Sequence, residues 1–414
     1  MITGITPCGL RYAVRRSGSA VGYCALGIRT GTRDEAGFPT GIAHFTEHTL
    51  FKGTRRKRAS TINGYLEKLG GELNAYTTKE EIVLHATVLK EDLRKAGSLL
   101  FELATQATFP DAEVETERGV VIDEIKSYKD NPSEEAFERF ETKIFKGHPL
   151  APPILGTAAS VGRITPEDLR RFVAGKFRPE AMVFTVVADI DEKRMEKEVL
   201  KLVAAAFSEA PVREPLTGFA PPAVALPPYE PFDIRSGKKN HHEVNAVLGG
   251  FAPSLYEEHE RLTAILLANI LGGPASNSIL GSILRERNGW VYGVEVAYAQ
   301  YADAGLMAVC LGCDKSNIDR CMEAVRKEFA KLQAAPLSEA RLKAAKKQML
   351  GQLAISSDNG EAQCLSMGKS LLAYGRIYSD GEVREQIGAI TAEDLRLMTC
   401  RIFDPARLSA LVLF

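Results

Sequence analysis

The segment ITPEDLRRFVAGKFRPEAMVFTVVADI, starting at Ile164, returns at Ile390 as ITAEDLRLMTCRIFDPARLSALVLF. Ile164 and Ile390 are 226 positions apart, and so are Pro179 and Pro405. Agreement of residue type and order over about 25 positions leaves chance as a poor account. Each copy predicts the same pieces: Thr165 or Thr391 as a helix N-cap, an amphipathic helix, a turn with proline, and an apolar strand. A chain of 414 residues is too long for one ordinary core. The repeat therefore implies two tandem copies of one domain, each of about 200 residues.

The densest proline run, PVREPLTGFAPPAVALPPYEP over Pro211–Pro231, holds seven prolines. These cannot join a helix or a central strand, so the run reads as an extended linker. It places one domain at 1–210 and its homologue at 232–414. Strand-like runs such as AVGYCALGIRTGT, EIVLHATVL and HEVNAVLGGF alternate with long amphipathic stretches such as SEARLKAAKKQMLGQLAIS. The expected fold class is α+β, each domain packing helices against one mostly antiparallel sheet.

Charge excludes some partners. With 52 basic and 53 acidic side chains the formal net charge is −1, which gives no electrostatic reason to expect nucleic acid or an anionic membrane. No run reaches the roughly 18 unbroken apolar residues of a membrane span. The start, MITGITPCGLRYAVRRSG, lacks the basic-then-apolar order of a secretory signal, so a cytoplasmic location is expected. Seven scattered cysteines argue for reduced thiols. Cys310 and Cys313 form a C-x-x-C, but they sit in the strand-like run GLMAVCLGCD with no second ligand pair nearby.

Chemistry concentrates in PTGIAHFTEHTLFKGT. Thr40 as N-cap and Gly53 as terminator predict a helix over 41–52. His44 and His48, four apart, then share one face, within reach of a single Zn²⁺. Glu47 can point at the remaining coordination position and act as general base toward a water molecule. The apolar neighbours Ile42, Ala43, Phe45, Leu50 and Phe51 make this a buried helix, where histidines and a glutamate need partners. H-x-x-E-H is the inverzincin order.

A zinc site needs a third protein ligand. The seven histidines leave few candidates, so a carboxylate is expected. Glu124 lies in the amphipathic stretch TERGVVIDEIKSYKD, and Glu117 two turns earlier shares its face. Glu124 reads as the ligand and Glu117 as its support or that of the motif histidines, with Val120 and Val121 between them. His241 and His242 look like the entry to a strand; His85, His148 and His259 read as structural or surface residues.

GIAHFTEHTLFKGT, Gly70–Ala75 and ERGVVIDEI together resemble the pitrilysin/insulinase family of peptidases. The resemblance spans the chain, and the size is similar to the small-subunit branch, which includes mitochondrial processing peptidase subunits and bacterial relatives. The family's third ligand falls 76 residues after the second histidine, which from His48 is Glu124, and its assisting glutamate maps to Glu117. ILGGPASNSILGSILRERNGWVYGVEV resembles the segment whose arginine and tyrosine hold substrate, implying Arg285 and Tyr292. GGELNAYTTKEEIVLHATV resembles the substrate-binding edge strand, with Asn74 and Ala75 as matching positions. It departs from relatives at Ile82, Leu84 and His85.

The resemblance implies a zinc endopeptidase acting on peptides inside a chamber of four domain copies. A chain with two copies, a zinc motif and an Arg–Tyr pair is then expected to form a homodimer, each site completed by the partner's copies of the pair. A presequence-processing enzyme and a non-catalytic scaffold subunit are the alternatives. Scaffold members typically lose the motif, which this chain keeps.

Overall fold

The computed structural model describes every residue except 209, 214–223, 227 and 238–242. Much of the proline segment, and His241 with His242, thus lie outside the described residues. Two sheets organise the rest. The first contains β1 (Ile2–Ile5), β2 (Arg11–Arg16), β3 (Val21–Ile28), β4 (Glu72–Thr77), β5 (Ile82–Leu89) and β6 (Met182–Ala188), in the order β1-β2-β6-β3-β5-β4. The second contains β7 (Asp233–Ser236), β8 (Glu243–Ala252), β9 (Val291–Gln300), β10 (Gly305–Asp314) and β11 (Ser409–Leu413), in the order β7-β11-β8-β10-β9. Leaving β1 aside, the two orders match strand for strand. Each has one parallel pair, β2–β6 and β7–β11, among antiparallel neighbours. The fold is α+β, as expected.

The repeated segments behave alike. Thr165 and Thr391 each accept a hydrogen bond from the backbone N–H three residues on, at 3.1 and 3.0 Å. Asp168 and Asp394 return the bond, completing two capping boxes. The helices that follow, Pro166–Lys176 and Ala392–Ile402, lead into β6 and β11.

The chain forms two compact units. One comprises Met1–Lys126, Pro152–Phe219 and Ala354–Ile377. It holds α1 (Ile42–Leu50), α2 (Ala59–Glu67), α3 (Leu93–Gln106) and most of α4 (Asp111–Lys129). One sheet face packs on a core that includes Phe45, Phe101, Phe109 and Phe184. The other is covered by the helix Gly360–Tyr374, whose Cys364, Met367, Leu371 and Leu372 meet Ala13, Ala25, Val83, Val183 and Val187.

The second unit comprises Ser127–Ala151, Ala220–Leu353 and Tyr378–Phe414. Its sheet packs one face on a core with Leu266, Val325, Phe329 and Phe403, the last two rings stacked at 3.9 Å. The other face meets α5 (Pro132–Ile144) through Ala136, Phe140 and Ile144. Each unit thus takes one helix from the other half of the sequence. A sheet covered on both faces buries its central strands throughout: all seven residues of β6 are buried, and its one polar residue, Thr185, donates to Cys364 O at 2.9 Å.

Candidate metal centre

The helix α1 begins differently from the expectation. Its N-cap is Gly41 and not Thr40, with φ +89° and no side-chain cap. A Cβ at Gly41 would meet Leu155 O at 2.7 Å and Gly156 Cα at 3.0 Å, so two backbones cross where a side chain has no room. Glu35 supplies the missing cap: Oε2 accepts from Gly41 N–H and Oε1 from Ala43 N–H, each at 2.9 Å. Burial pushes the Glu35 carboxyl up to about 7, against the pull of those two N–H groups. The helix ends at Leu50 with Phe51 as C-cap, short of Gly53. Ile42, Ala43, Phe45 and Leu50 are fully buried, which locks the helix in the first unit's core.

His44 and His48 stack their rings edge to face at 4.6 Å between centroids. Across from them, α4 presents Val114, Glu117, Val121 and Ile125 as its buried face and Glu124 on its flank. Val120, read from sequence as part of the apolar side, is half exposed; a helix of this pitch turns it outward while Val121 enters the core. Glu124 Oε2 lies 3.3 Å from His48 Nε2 and 3.8 Å from His44 Nε2. Donor atoms bound at 2.0–2.1 Å to a tetrahedral zinc stand about 3.3–3.4 Å from one another. Glu124 Oε2 is itself buried and has no hydrogen-bond partner. A desolvated carboxylate oxygen facing two imidazole nitrogens is the arrangement a cation satisfies, and the set fits zinc.

The surroundings tune the trio. Burial, with His48 beside it, pulls His44 down to about 3, which keeps its imidazole neutral as ligation requires. Glu117, buried in a position that opposes its charge, is nonetheless held below its ordinary value by hydrogen bonds from His48 and Lys52. It therefore accepts from His48 Nδ1 at 2.9 Å and from Lys52 Nζ at 2.5 Å. That contact fixes the His48 tautomer with Nε2 free toward Glu124. His44 has no such support; its Nδ1 is buried without a partner.

Glu47 leaves α1 toward the edge strand β4, where Thr77 Oγ1 donates to its Oε2 at 2.8 Å. Burial raises its pKa, with Thr77 and His48 opposing and Glu124 adding. Asn74 and Ala75 lie on β4, opposite His85 and Leu84 of β5. A groove of ≈ 570 Å³ runs between this edge and the site, lined among others by Glu47, His48, Phe51, Asn74, Ala75 and Glu117.

Arg285 and Tyr292 belong to the second unit and line one pocket of ≈ 360 Å³ with Asn245 and Glu295. Arg285 sits on a π-helical turn, Gly281–Arg287, and pairs with Glu286 at 3.0 Å. Tyr292 marks a β-bulge: Val291 opposes Cys313 and Gly293 opposes Gly312, which leaves Tyr292 unpaired and 62% exposed. Its hydroxyl donates to Asp314 at 2.7 Å, which raises its pKa. The other described histidines lie beside carboxylates away from this trio: His85 Nδ1 is 3.1 Å from Glu361, His148 Nε2 3.4 Å from Asp303 and His259 Nε2 3.4 Å from Asp394.

Three contributors escaped the sequence reading: Glu35, Lys52 and Thr77. Lys52 carried a signal, one turn beyond His48 on the face that meets Glu117. Thr77 carried a weaker one, two residues past Ala75 and so on its side of the strand. Glu35 carried none, since its capping role depends on how a loop folds back. Among the described residues, no helix is long and apolar enough to cross a membrane.

Residues 11–158 match the family described as Insulinase (Peptidase family M16), and residues 163–349 match the Peptidase M16 inactive domain. An uncharacterized zinc protease of Mycobacterium leprae is 30% identical over 405 residues, 96% of this chain and 88% of that protein. The mitochondrial-processing peptidase subunit beta of Caenorhabditis elegans is 26% identical, covering 98% of this chain and 88% of the subunit. In fold, a protease of Helicobacter pylori superposes with a TM-score of 0.88 over 100% of this chain and 99% of its own, at 19% identity.

Proposed function

The chain belongs to the insulinase family of peptidases, family M16, and from that premise we propose that it is a zinc-dependent endopeptidase cleaving peptides or small unfolded polypeptides. The observation that carries this reading is the buried, unpartnered Glu124 Oε2, 3.3 and 3.8 Å from two imidazole nitrogens. His44, His48 and Glu124 would hold the metal, with Glu117 orienting His48. When bound there, zinc would supply a Lewis acid able to polarise a peptide carbonyl and to lower the pKa of water to about 7. Glu47 takes the water proton and delivers it to the departing amine. The free edge of β4, with Asn74 and Ala75, receives the substrate as an added strand, which fixes its register. Arg285 donates to a substrate carbonyl and Tyr292 to the developing oxyanion. The catalytic machinery thus divides between residues 1–210 and 232–414, joined through the proline segment 211–231. A homodimer would provide the four domain copies of a chamber, with Arg285 and Tyr292 acting on the partner's zinc site.

The test is metal analysis alongside peptide cleavage. Purified protein should carry about one zinc per chain, lose activity to a chelator and regain it with zinc. Glu47→Gln should keep the metal and lower turnover by about 10²–10⁴-fold. Metal-free protein that cleaves peptides would end this reading.

A further inference from the structure

Glu47 reaches its place from a helix by way of a flexible side chain, yet a general base must sit within hydrogen-bond reach of the proton it takes. Only one described side chain hydrogen-bonds it: Thr77, whose Oγ1 stands 2.8 Å from Oε2. Thr77 ends the edge strand β4 and opens the hairpin to β5, opposite Ile82.

That hairpin is anchored on all sides. Within the turn, Thr78 N–H donates to Glu81 O at 2.8 Å, and Thr78 Oγ1 accepts from Glu80 and Glu81 N–H at 3.2 and 3.0 Å. From outside, Thr32 and Arg33 N–H donate to Thr78 O and Lys79 O at 3.2 and 3.0 Å. Lys79, only 3% exposed, donates to Pro152 O at 2.6 Å, and Arg33 pairs with Glu80. Glu81 accepts from Tyr76 at 3.3 Å and pairs with Lys369 at 3.6 Å. So many ties on five residues hold the Thr77 backbone still, and a β-branched side chain on a fixed backbone has few rotamers.

We infer that Thr77 is a positioning residue for the proposed reaction, its hydroxyl holding the Glu47 carboxylate at the edge where the peptide is added. Thr77 touches neither ligand set nor reacting atoms; it acts through Glu47. Donation to Oε2 leaves Oε1 as the oxygen free to take a proton. The edge strand then does two jobs, receiving the substrate backbone along its length and fixing the base at its end. This inference rests on the peptidase reading, and its test separates the two.

The experiment compares wild type, Thr77→Val and Thr77→Ser, each alone and combined with Glu47→Gln, on one peptide, with zinc content and Tm recorded. Thr77→Val keeps the shape and removes the donor. It should lower kcat by about 10- to 100-fold, with KM, zinc content and Tm near wild type. Thr77→Ser should recover most of the rate. In the Glu47→Gln background, Thr77→Val should cost nothing further. A Glu47-dependent rate that survives Thr77→Val overturns the inference alone, as does an equal loss in both backgrounds or a loss that Ser does not rescue. Should Thr77→Val fold poorly, Thr77→Ala gives the same comparison by deleting atoms only. A wild-type rate indifferent to Glu47→Gln overturns the choice of base, and Thr77 with it.

Discussion

Replacing Glu35 with Gln asks what holds the ligand helix. The carboxylate accepts from two backbone N–H groups at the start of α1, at 2.9 Å each. A Gln offers one acceptor oxygen and turns its NH2 on the other donor. Leaving a buried N–H unmatched costs about 1–3 kcal/mol. A second contribution depends on pH. Burial raises Glu35 from 4.5 to about 7 on folding, so the folded chain holds that proton more tightly than the unfolded one. The resulting stability is complete below the unfolded pKa and is lost as pH rises through the folded pKa. Between about pH 5 and 8 those two values correspond to a loss of about 2–3 kcal/mol. Gln does not titrate. The stability of wild type relative to Glu35→Gln should therefore fall by about 2–3 kcal/mol across that range. Both proteins are kept chelator-treated so that metal binding and shared titrations cancel. Urea unfolding by circular dichroism at four pH values, fitted for the unit containing α1, measures the difference. A wild-type advantage that grows with pH would refute the reasoning. It would mean that the helix terminus and its N–H groups keep Glu35 ionised against burial.

Glu124→Gln should weaken zinc retention in dialysed protein, whereas unchanged zinc content would move the third ligand to another carboxylate. Lys52→Met removes the cation that meets Glu117 at 2.5 Å, so zinc affinity should drop by about 10- to 100-fold; an unaltered affinity in a competition titration would show that Glu117 keeps its place unaided. Mixing inactive Glu47→Gln chains with inactive Arg285→Ala chains should restore part of the activity if a second copy supplies the arginine. Verified mixed dimers without activity would show that Arg285 acts within its own chain or not at all.

The parts legible in the sequence are those fixed by short-range geometry. A helix repeats every 3.6 residues, so His44 and His48 share a face wherever the helix goes. The capping boxes at Thr165 and Thr391 close within four residues. What stayed hidden is tertiary. Thr40 has the chemistry of an N-cap, but the crossing of Gly41 with Gly156 starts the helix one residue later and hands the cap to Glu35. The residues that α5 and Gly360–Tyr374 bury, such as Phe140 and Leu371, lie in the sequence as ordinary apolar positions, and nothing in their spacing says which sheet each helix will cover.

The duplicated fold also explains why the metal set occurs once among the described residues. The helix Glu258–Gly272 follows β8 as α1 follows β3, and both pack on matching sheets. Its sequence, EHERLTAILLANILG, places its one histidine, His259, in the first turn, beside Asp394 at 3.4 Å. Where α1 carries His44, Glu47 and His48, this helix buries Leu262, Leu266, Leu267 and Leu271. Buried leucines stabilise the core by about 1.5–3 kcal/mol each relative to exposure, whereas α1 gives up part of that gain to seat two imidazoles and a carboxylate in a desolvated place. The second unit is spared that cost at its helix and departs from regularity elsewhere: a π-helical turn carries Arg285 and a bulge turns out Tyr292. The first copy thus breaks its regular packing at the ligand helix and the second at a helical turn and a strand bulge, and those are the places where the proposed chemistry needs side chains that a plain core would not keep.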